Sequence, residues 1–386
     1  MIPLSIPEIS GNEWKYVKEC LDTGWVSSAG PFVNRFEQEI SRHTGAGHAV
    51  AVVNGTAGLQ LALLLAGVKP GDAVLVPTLT FIAPVNAVRY IGAEPVFLDC
   101  DDYYNLGPEA LEQFLVDACS TRVNGCVMKE SGRRVAAVIV VHVFGNAADL
   151  ERMLPICREH GIRLIEDATE SLGTRYAQGD LAGRHTGTVG DFGVLSFNGN
   201  KVITTGGGGM LLTADDDAAA RARYLSTQAK DDPVRYVHDE VGYNWRLTNV
   251  QAAIGVAQLE QLDRFVALRR SHHAAYAKQL AGVPGLAVAE TPPYADNNCW
   301  LTAVRIDAAL YGRDRERTMA DLQGAGVESR PLWYPNHLQA PYRDCAAWKI
   351  ERAVGLWEQT LNVPSSAGLS DAELAAVVRE LGGRSA

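Results

Sequence analysis

The sequence predicts an α/β protein: a large, mostly parallel sheet covered by helices on both faces, followed by a smaller α+β domain. Short β-branched runs alternate with longer helical stretches over the first two thirds of the chain. Those runs are apolar almost throughout, as strands buried on both faces must be. From about Val250 the rhythm changes to a long helical stretch, spaced prolines and isolated strand-like runs. At 386 residues with 47% apolar side chains, the chain can bury a large core.

Seven strands are expected, at residues 48–53, 73–77, 95–98, 135–142, 163–166, 192–197 and 210–213. Helical stretches follow the first four, at 56–66, 81–91, 106–116 and 150–160. The large domain is taken as 1–250. The rest, 251–386, opens with a long helix at 250–276 carrying the pair Arg269-Arg270. Then come Pro284, Pro292 and Pro293, a strand at 300–306, a helix near 314–324, a loop rich in proline and aromatics at 330–342, and two closing helices. In such sheets ligands collect beyond the carboxyl ends of the strands, so chemistry is sought there first.

Charge narrows the function. Lys and Arg number 35 against 45 Asp and Glu, a net charge of −10, which argues against a general nucleic-acid binder. The apolar stretches 59–68 and 135–143 are shorter than the roughly 20 residues a membrane span needs. The opening Met1-Ile2-Pro3-Leu4-Ser5 has no basic segment before an apolar run, so no secretory signal is expected and the cytoplasm is the expected location. The seven cysteines, 20, 100, 119, 126, 157, 299 and 345, are scattered and form no Cys-x-x-Cys pair. Reduced thiols are the plain reading, and no metal is expected.

Four strand ends carry groups that matter together. Lys201 stands in Ser196-Phe197-Asn198-Gly199-Asn200-Lys201, ahead of the run Gly206–Gly209. A lysine there can form a Schiff base with an aldehyde cofactor, although an isolated loop lysine is ordinarily a solvated surface group. The next lysine, Lys230, lies in the polar loop Lys230-Asp231-Asp232-Pro233. Asp167 ends its strand and reads either as a helix cap or as the partner of a protonated pyridine nitrogen. Asn54-Gly55-Thr56-Ala57 is a strand-to-helix turn whose N–H groups could hold a phosphate. Phe81, after Pro77-Thr78-Leu79-Thr80, is a core aromatic unless a planar ligand lies beside it. His142, also at a strand end, reads as hydrogen-bonded structure. No Gly-x-Ser-x-Gly elbow, no P-loop and no Gly-x-Gly-x-x-Gly after the first strand is present. An anion cradle, a ring face, a pyridinium partner and an amine are what pyridoxal phosphate needs.

With these residues in place, the sequence resembles the DegT/StrS-type nucleotide-sugar aminotransferases over almost its whole length. The likeness runs through Gly24–Gly30, Asn54-Gly55-Thr56, 77–81, Glu166-Asp167-Ala168 and 196–210, then Gly242-Tyr243-Asn244-Trp245-Arg246, Arg330-Pro331-Leu332-Trp333, His337-Leu338 and 361–365. The resemblance implies the aspartate-aminotransferase fold, fold type I of the pyridoxal-phosphate enzymes. It implies that Lys201 holds the cofactor as an internal aldimine and moves the proton, with Asp167 on the pyridinium. It places Thr56, Ala57 and Ser196 on the phosphate, Phe81 on the ring, Glu170 near the ring hydroxyl, and Asn244 on the phosphate of a neighbouring subunit in a homodimer. Ser28, Arg246, Arg330 and His337 lie in the same blocks and are the candidates for substrate contact.

Relatives with histidine in place of the lysine are dehydratases, so Lys201 favours transamination. A regulatory relative would have lost a cofactor contact, and none is missing. The wording around Lys201 is most similar to enzymes that aminate C4 of a UDP-linked 4-keto-6-deoxy-N-acetylhexosamine with glutamate, for bacterial surface glycans such as O-antigen lipopolysaccharide. Perosamine-type enzymes, acting on a GDP-linked 4-keto-6-deoxymannose, are the alternative.

Overall fold

The structure is a computed structural model and describes residues 1–122, 125–232 and 234–382; Pro233 of the Lys230 loop and the last four residues lie outside the described residues. The seven expected strands are present as β1 (His48–Val52), β2 (Ala73–Pro77), β3 (Glu94–Leu98), β4 (Val135–Val141), β5 (Arg163–Asp167), β6 (Phe192–Ser196) and β7 (Gly209–Thr213). They lie in one sheet in the order β1-β7-β6-β5-β4-β2-β3. An eighth, two-residue strand, Ala347–Trp348, adds to the far edge beside β3. The sheet therefore has eight strands rather than seven. A two-residue pairing leaves no alternating or apolar run in the sequence, so no pattern could have announced it.

Only β7 runs against its neighbours, antiparallel to both β1 and β6; the other pairings are parallel. The carboxyl ends of β1, β2, β4, β5 and β6 therefore share one edge of the sheet. Helices α1 (Glu13–Thr23), α2 (Pro31–Thr44), α3 (Gly55–Leu65), α4 (Ala83–Tyr90), α5 (Pro108–Ala118), α6 (Leu150–His160) and α7 (Asp216–Ser226) surround it. Two apolar clusters result. One joins Phe36, Leu59, Val85 and Phe197 to one face of the sheet, and the other joins Leu111, Phe114, Met153 and Cys157 to the opposite face.

The expected long helix at 250–276 is two helices, α8 (Asn249–Leu259) and α9 (Leu262–Leu280). The interruption carries no Pro or Gly, which is why periodicity passed over it. Glu260 sits there and accepts from Asn12, Tyr16 and Arg35, tying the joint to α1 and α2. Thr248 and Gln251 form a capping box that starts α8. The smaller sheet is antiparallel, in the order Leu286–Val288, Thr302–Ile306, Thr360–Val363, Arg330–Pro331. Its core joins Tyr276 and Leu280 of α9 to Val304, Leu361 and Val377.

Asp99, just after β3, joins the two parts. Its Oδ2 accepts the N–H groups of Glu351 and Arg352 at 2.7 Å each, and its Oδ1 accepts that of Ala353 at 3.0 Å. It thereby caps helix α10 (Arg352–Gln359) from another segment of the chain. Among the described residues no helix is long and apolar enough to cross a membrane, and no group of His, Cys, Asp or Glu is placed to hold a metal.

Candidate active site

A cavity of about 290 Å³ opens at the shared strand ends, lined by Gly55, Thr56, Phe81, Asp167, Glu170, Ser196 and Lys201 among others. The connections after β1, β2, β5 and β6 thus meet at one place, as a parallel sheet requires.

One end of the cavity suits an anion. Asn54 is the N-cap of α3, and its Oδ1 accepts the Ala57 N–H at 2.8 Å. Gly55 and Thr56 occupy the first turn, where N–H groups have no intrahelical acceptor. A Cβ on Gly209 would lie 2.6 Å from the Asn54 carbonyl carbon and 2.7 Å from the Gly55 nitrogen, so only glycine lets β7 pass this turn. Ala57 is not on the cavity wall, and its N–H is already used by the Asn54 cap. The wall there is made by Gly55, Thr56 and Ser196.

The other end carries ionisable groups in dry surroundings. Asp167 is 3% exposed, and its Oδ1 accepts the Thr169 N–H at 3.0 Å. Burial raises its carboxyl above the ordinary range, against the pull of Thr169 and Lys201. Glu170 is equally buried, and its Oε2 accepts the Phe144 N–H at 2.9 Å. Phe144 holds that N–H in a left-handed conformation, φ 58°, a cost that clusters at functional sites. Lys201 Nζ is 3.9 Å from Glu170 Oε1. Burial pushes Glu170 up to about 7 and pushes the Lys201 amine down, while each opposes the shift of the other.

His142 is hydrogen-bonded structure, as its place at a strand end predicts. Its Nδ1 accepts the Ala148 N–H at 3.0 Å, which leaves the ring proton on Nε2, 2.9 Å from Glu166 Oε2. Burial raises the Glu166 carboxyl, but His142 and the N–H groups of Gly187 and Gly190 outweigh it and leave the group lowered.

The proposed substrate contacts do not gather at this cavity within one chain. Arg246 Nη1 is spent on Glu37 at 2.6 Å, and Arg330 is exposed and paired with Glu328 at 2.7 Å. Ser28 is exposed away from the cavity. His337 Nδ1 lies 2.6 Å from Thr78 Oγ1, and Asn336 donates to the carbonyl of Thr80 at 2.7 Å. That segment therefore braces the turn leading to Phe81, which is 53% exposed at the mouth. Asn244 is exposed as well. Two tryptophans on the wall, Trp300 and Trp333, are not among the site residues that the sequence predicts. Trp333 stacks on Phe144 at 5.3 Å between centroids, and its place in an aromatic loop was a usable signal. Trp300 carried none, because its reach depends on a reversal at Cys299, φ 54°.

The residues present fit pyridoxal phosphate: an N–H cradle at one end, and a buried carboxylate and an amine at the other. Fold and site together define a pyridoxal-phosphate enzyme of fold type I, and the comparisons agree. Residues 7–382 match the model of the DegT/DnrJ/EryC1/StrS aminotransferase family. The chain belongs to that family and is a pyridoxal-phosphate-dependent sugar aminotransferase. It is 39% identical to EpsN of Bacillus subtilis, assigned as a pyridoxal phosphate-dependent aminotransferase, over 98% of this chain and 95% of that one. It is 38% identical to the GDP-perosamine synthase of Caulobacter vibrioides, over 98% and 97% of the two chains. The crystal structure of the aminotransferase TlmJ from Streptoalloteichus hindustanus superposes with a TM-score of 0.87 at 31% identity, covering 99% of this chain and 98% of that one.

Proposed function

We propose that the enzyme transfers the amino group of glutamate to C4 of a nucleotide-linked 4-keto-6-deoxy sugar, with Lys201 as the reacting amine. The GDP-linked 4-keto-6-deoxymannose is the first candidate. Full-length similarity to GDP-perosamine synthases of Caulobacter vibrioides and, at 36% identity, Vibrio cholerae favours it. A UDP-linked N-acetylhexosamine, favoured by the wording around Lys201, stands second.

The observation that carries the role of Lys201 is its amine 3.9 Å from Glu170 inside a cavity that also holds Asp167 and the α3 turn. Pyridoxal phosphate, when bound, supplies an aldehyde that takes up amino groups and a ring that draws electrons from the reacting carbon. The chain supplies the rest. Gly55, Thr56 and Ser196 bind the phosphate. Asp167 holds a proton on the ring nitrogen, where a buried carboxylate favours a cation. Burial lowers the affinity of Lys201 Nζ for protons, and this amine is the group placed to accept and return one. Glu170, at about 7, holds or releases a proton beside it near neutral pH. Phe81 and Trp333 narrow the path of water.

The test incubates the protein with pyridoxal phosphate, glutamate and a panel of GDP- and UDP-linked 4-keto sugars. Formation of 2-oxoglutarate matched by an aminated sugar is expected, fastest with the GDP-linked ketone. Loss of water from the sugar without 2-oxoglutarate would assign a dehydratase instead.

A further inference from the structure

Trp300 belongs to the small domain, yet its indole face lies over the amine of Lys201, 4.1 Å from Nζ to the ring centroid. Its indole N–H donates to the carbonyl of Asn200 at 2.7 Å, the residue before Lys201. Trp300 is itself held from behind. Asn298 Oδ1 accepts its N–H at 2.9 Å, while Asn298 Nδ2 donates to the carbonyls of Glu170 and Leu172. Its own carbonyl accepts from Arg269 Nη1 of α9 at 2.8 Å.

Arg269 is unusual. It is 1% exposed, its Nη1 also donates to the Ser365 carbonyl at 2.7 Å, and its Nε has no partner among the described residues. Burial pushes the guanidinium down to about 10. A buried cation held by carbonyls alone is costly, and here it fixes the backbone that carries Trp300.

We infer that Trp300 is a positioning residue for Lys201: it shuts water from one side of the amine and pins the turn that presents it. The inference rests on Lys201 being the reacting amine. Among the described residues, the charged groups facing Nζ are Asp167, the last residue of β5, and Glu170, three residues further on, and Trp300 covers it from the small domain. A cation over an indole face is favoured, but the dehydration that the ring imposes acts the other way. Burial is the largest influence on Lys201, so dehydration wins.

Trace acylation of the cofactor-free protein with acetic anhydride across pH, read by peptide mass spectrometry, gives the titration midpoint of Lys201 against the exposed Lys15 and Lys69. In Trp300→Ala the midpoint should rise by about one pH unit or more. Trp300→Leu, which keeps apolar bulk without the ring, should rise less, and Trp300→Phe should stay near wild type. If Trp300→Ala does not fold, the Leu and Phe pair decides. An unchanged or lower midpoint in the folded variants that lack the ring overturns the inference. No cofactor enters this measurement, so failure of pyridoxal phosphate to label Lys201 would sink the proposed function and leave the midpoint shift standing.

Discussion

Glu170 and Lys201 face each other in a space where neither charge is well solvated, and the pH dependence of stability follows. The Glu170 carboxyl sits near 7 in the folded cofactor-free chain, above the ordinary 4.5. A raised carboxyl binds more protons folded than unfolded. Its contribution is therefore complete below about 4.5 and is lost as pH rises through about 7. Glu170→Gln should remove that slope, at most about 3 kcal/mol between the two limits. Urea titrations of both cofactor-free proteins at pH values spanning this window check it, and parallel curves would refute it. Asp167→Asn acts differently. An amide still hydrogen-bonds a ring nitrogen but no longer stabilises its proton. Turnover with saturating cofactor should fall on the order of a hundredfold, about 3 kcal/mol, while cofactor affinity changes much less. Wild-type turnover in this variant would remove Asp167 from the mechanism.

At the scale of elements, Asp99 has the clearest consequence. It satisfies three N–H groups at the start of α10 and one of its own neighbours, Cys100. Asp99→Ala leaves those donors unpaired in a largely buried place and should cost about 2 kcal/mol in urea unfolding, with Asp99→Asn losing less. An unchanged midpoint for the alanine variant would show that the clasp is idle. The sequence made much of this level legible. The β2 run Ala73–Pro77 and helix α6 fall where patterning puts them, because each is a continuous apolar or amphipathic segment with its own stop signals. The places of Asp167 and Ser196 were legible for the same reason, each being the last residue of a strand, and Lys201 follows five residues after Ser196. The division of α8 from α9 was not, since Glu260 interrupts the helix through partners far away in sequence rather than through its own propensity. Trp300 was hidden likewise. Its contact with Lys201 spans the two parts of the fold, and spacing along the chain does not encode it.

For the whole molecule, a set of exposed apolar side chains bears on assembly. Trp25, Val26, Phe81 and Val241 are all large, apolar and exposed in the single chain. The Trp25 segment is tied to the start of α8 through Asn249, whose Nδ2 donates to the Trp25 carbonyl at 2.8 Å. Asn244, a few residues earlier, is exposed too. We propose a two-fold homodimer in which Asn244 would reach the partner's cofactor phosphate; a two-fold would repeat that contact in each site. Mixing inactive Lys201→Ala and Asn244→Ala subunits should then restore part of the activity. One site of the mixed dimer carries both lesions and the other neither. Confirmed subunit exchange with no activity would exclude shared sites. Lys201 is proposed as the amine that takes the cofactor. Loading the protein with pyridoxal phosphate, reducing with borohydride and mapping the pyridoxyl label by mass spectrometry addresses it directly. Near-complete labelling of the peptide bearing Lys201, and none in folded Lys201→Ala, is expected. Labelling at another lysine, or at wild-type yield in that variant, would contradict it.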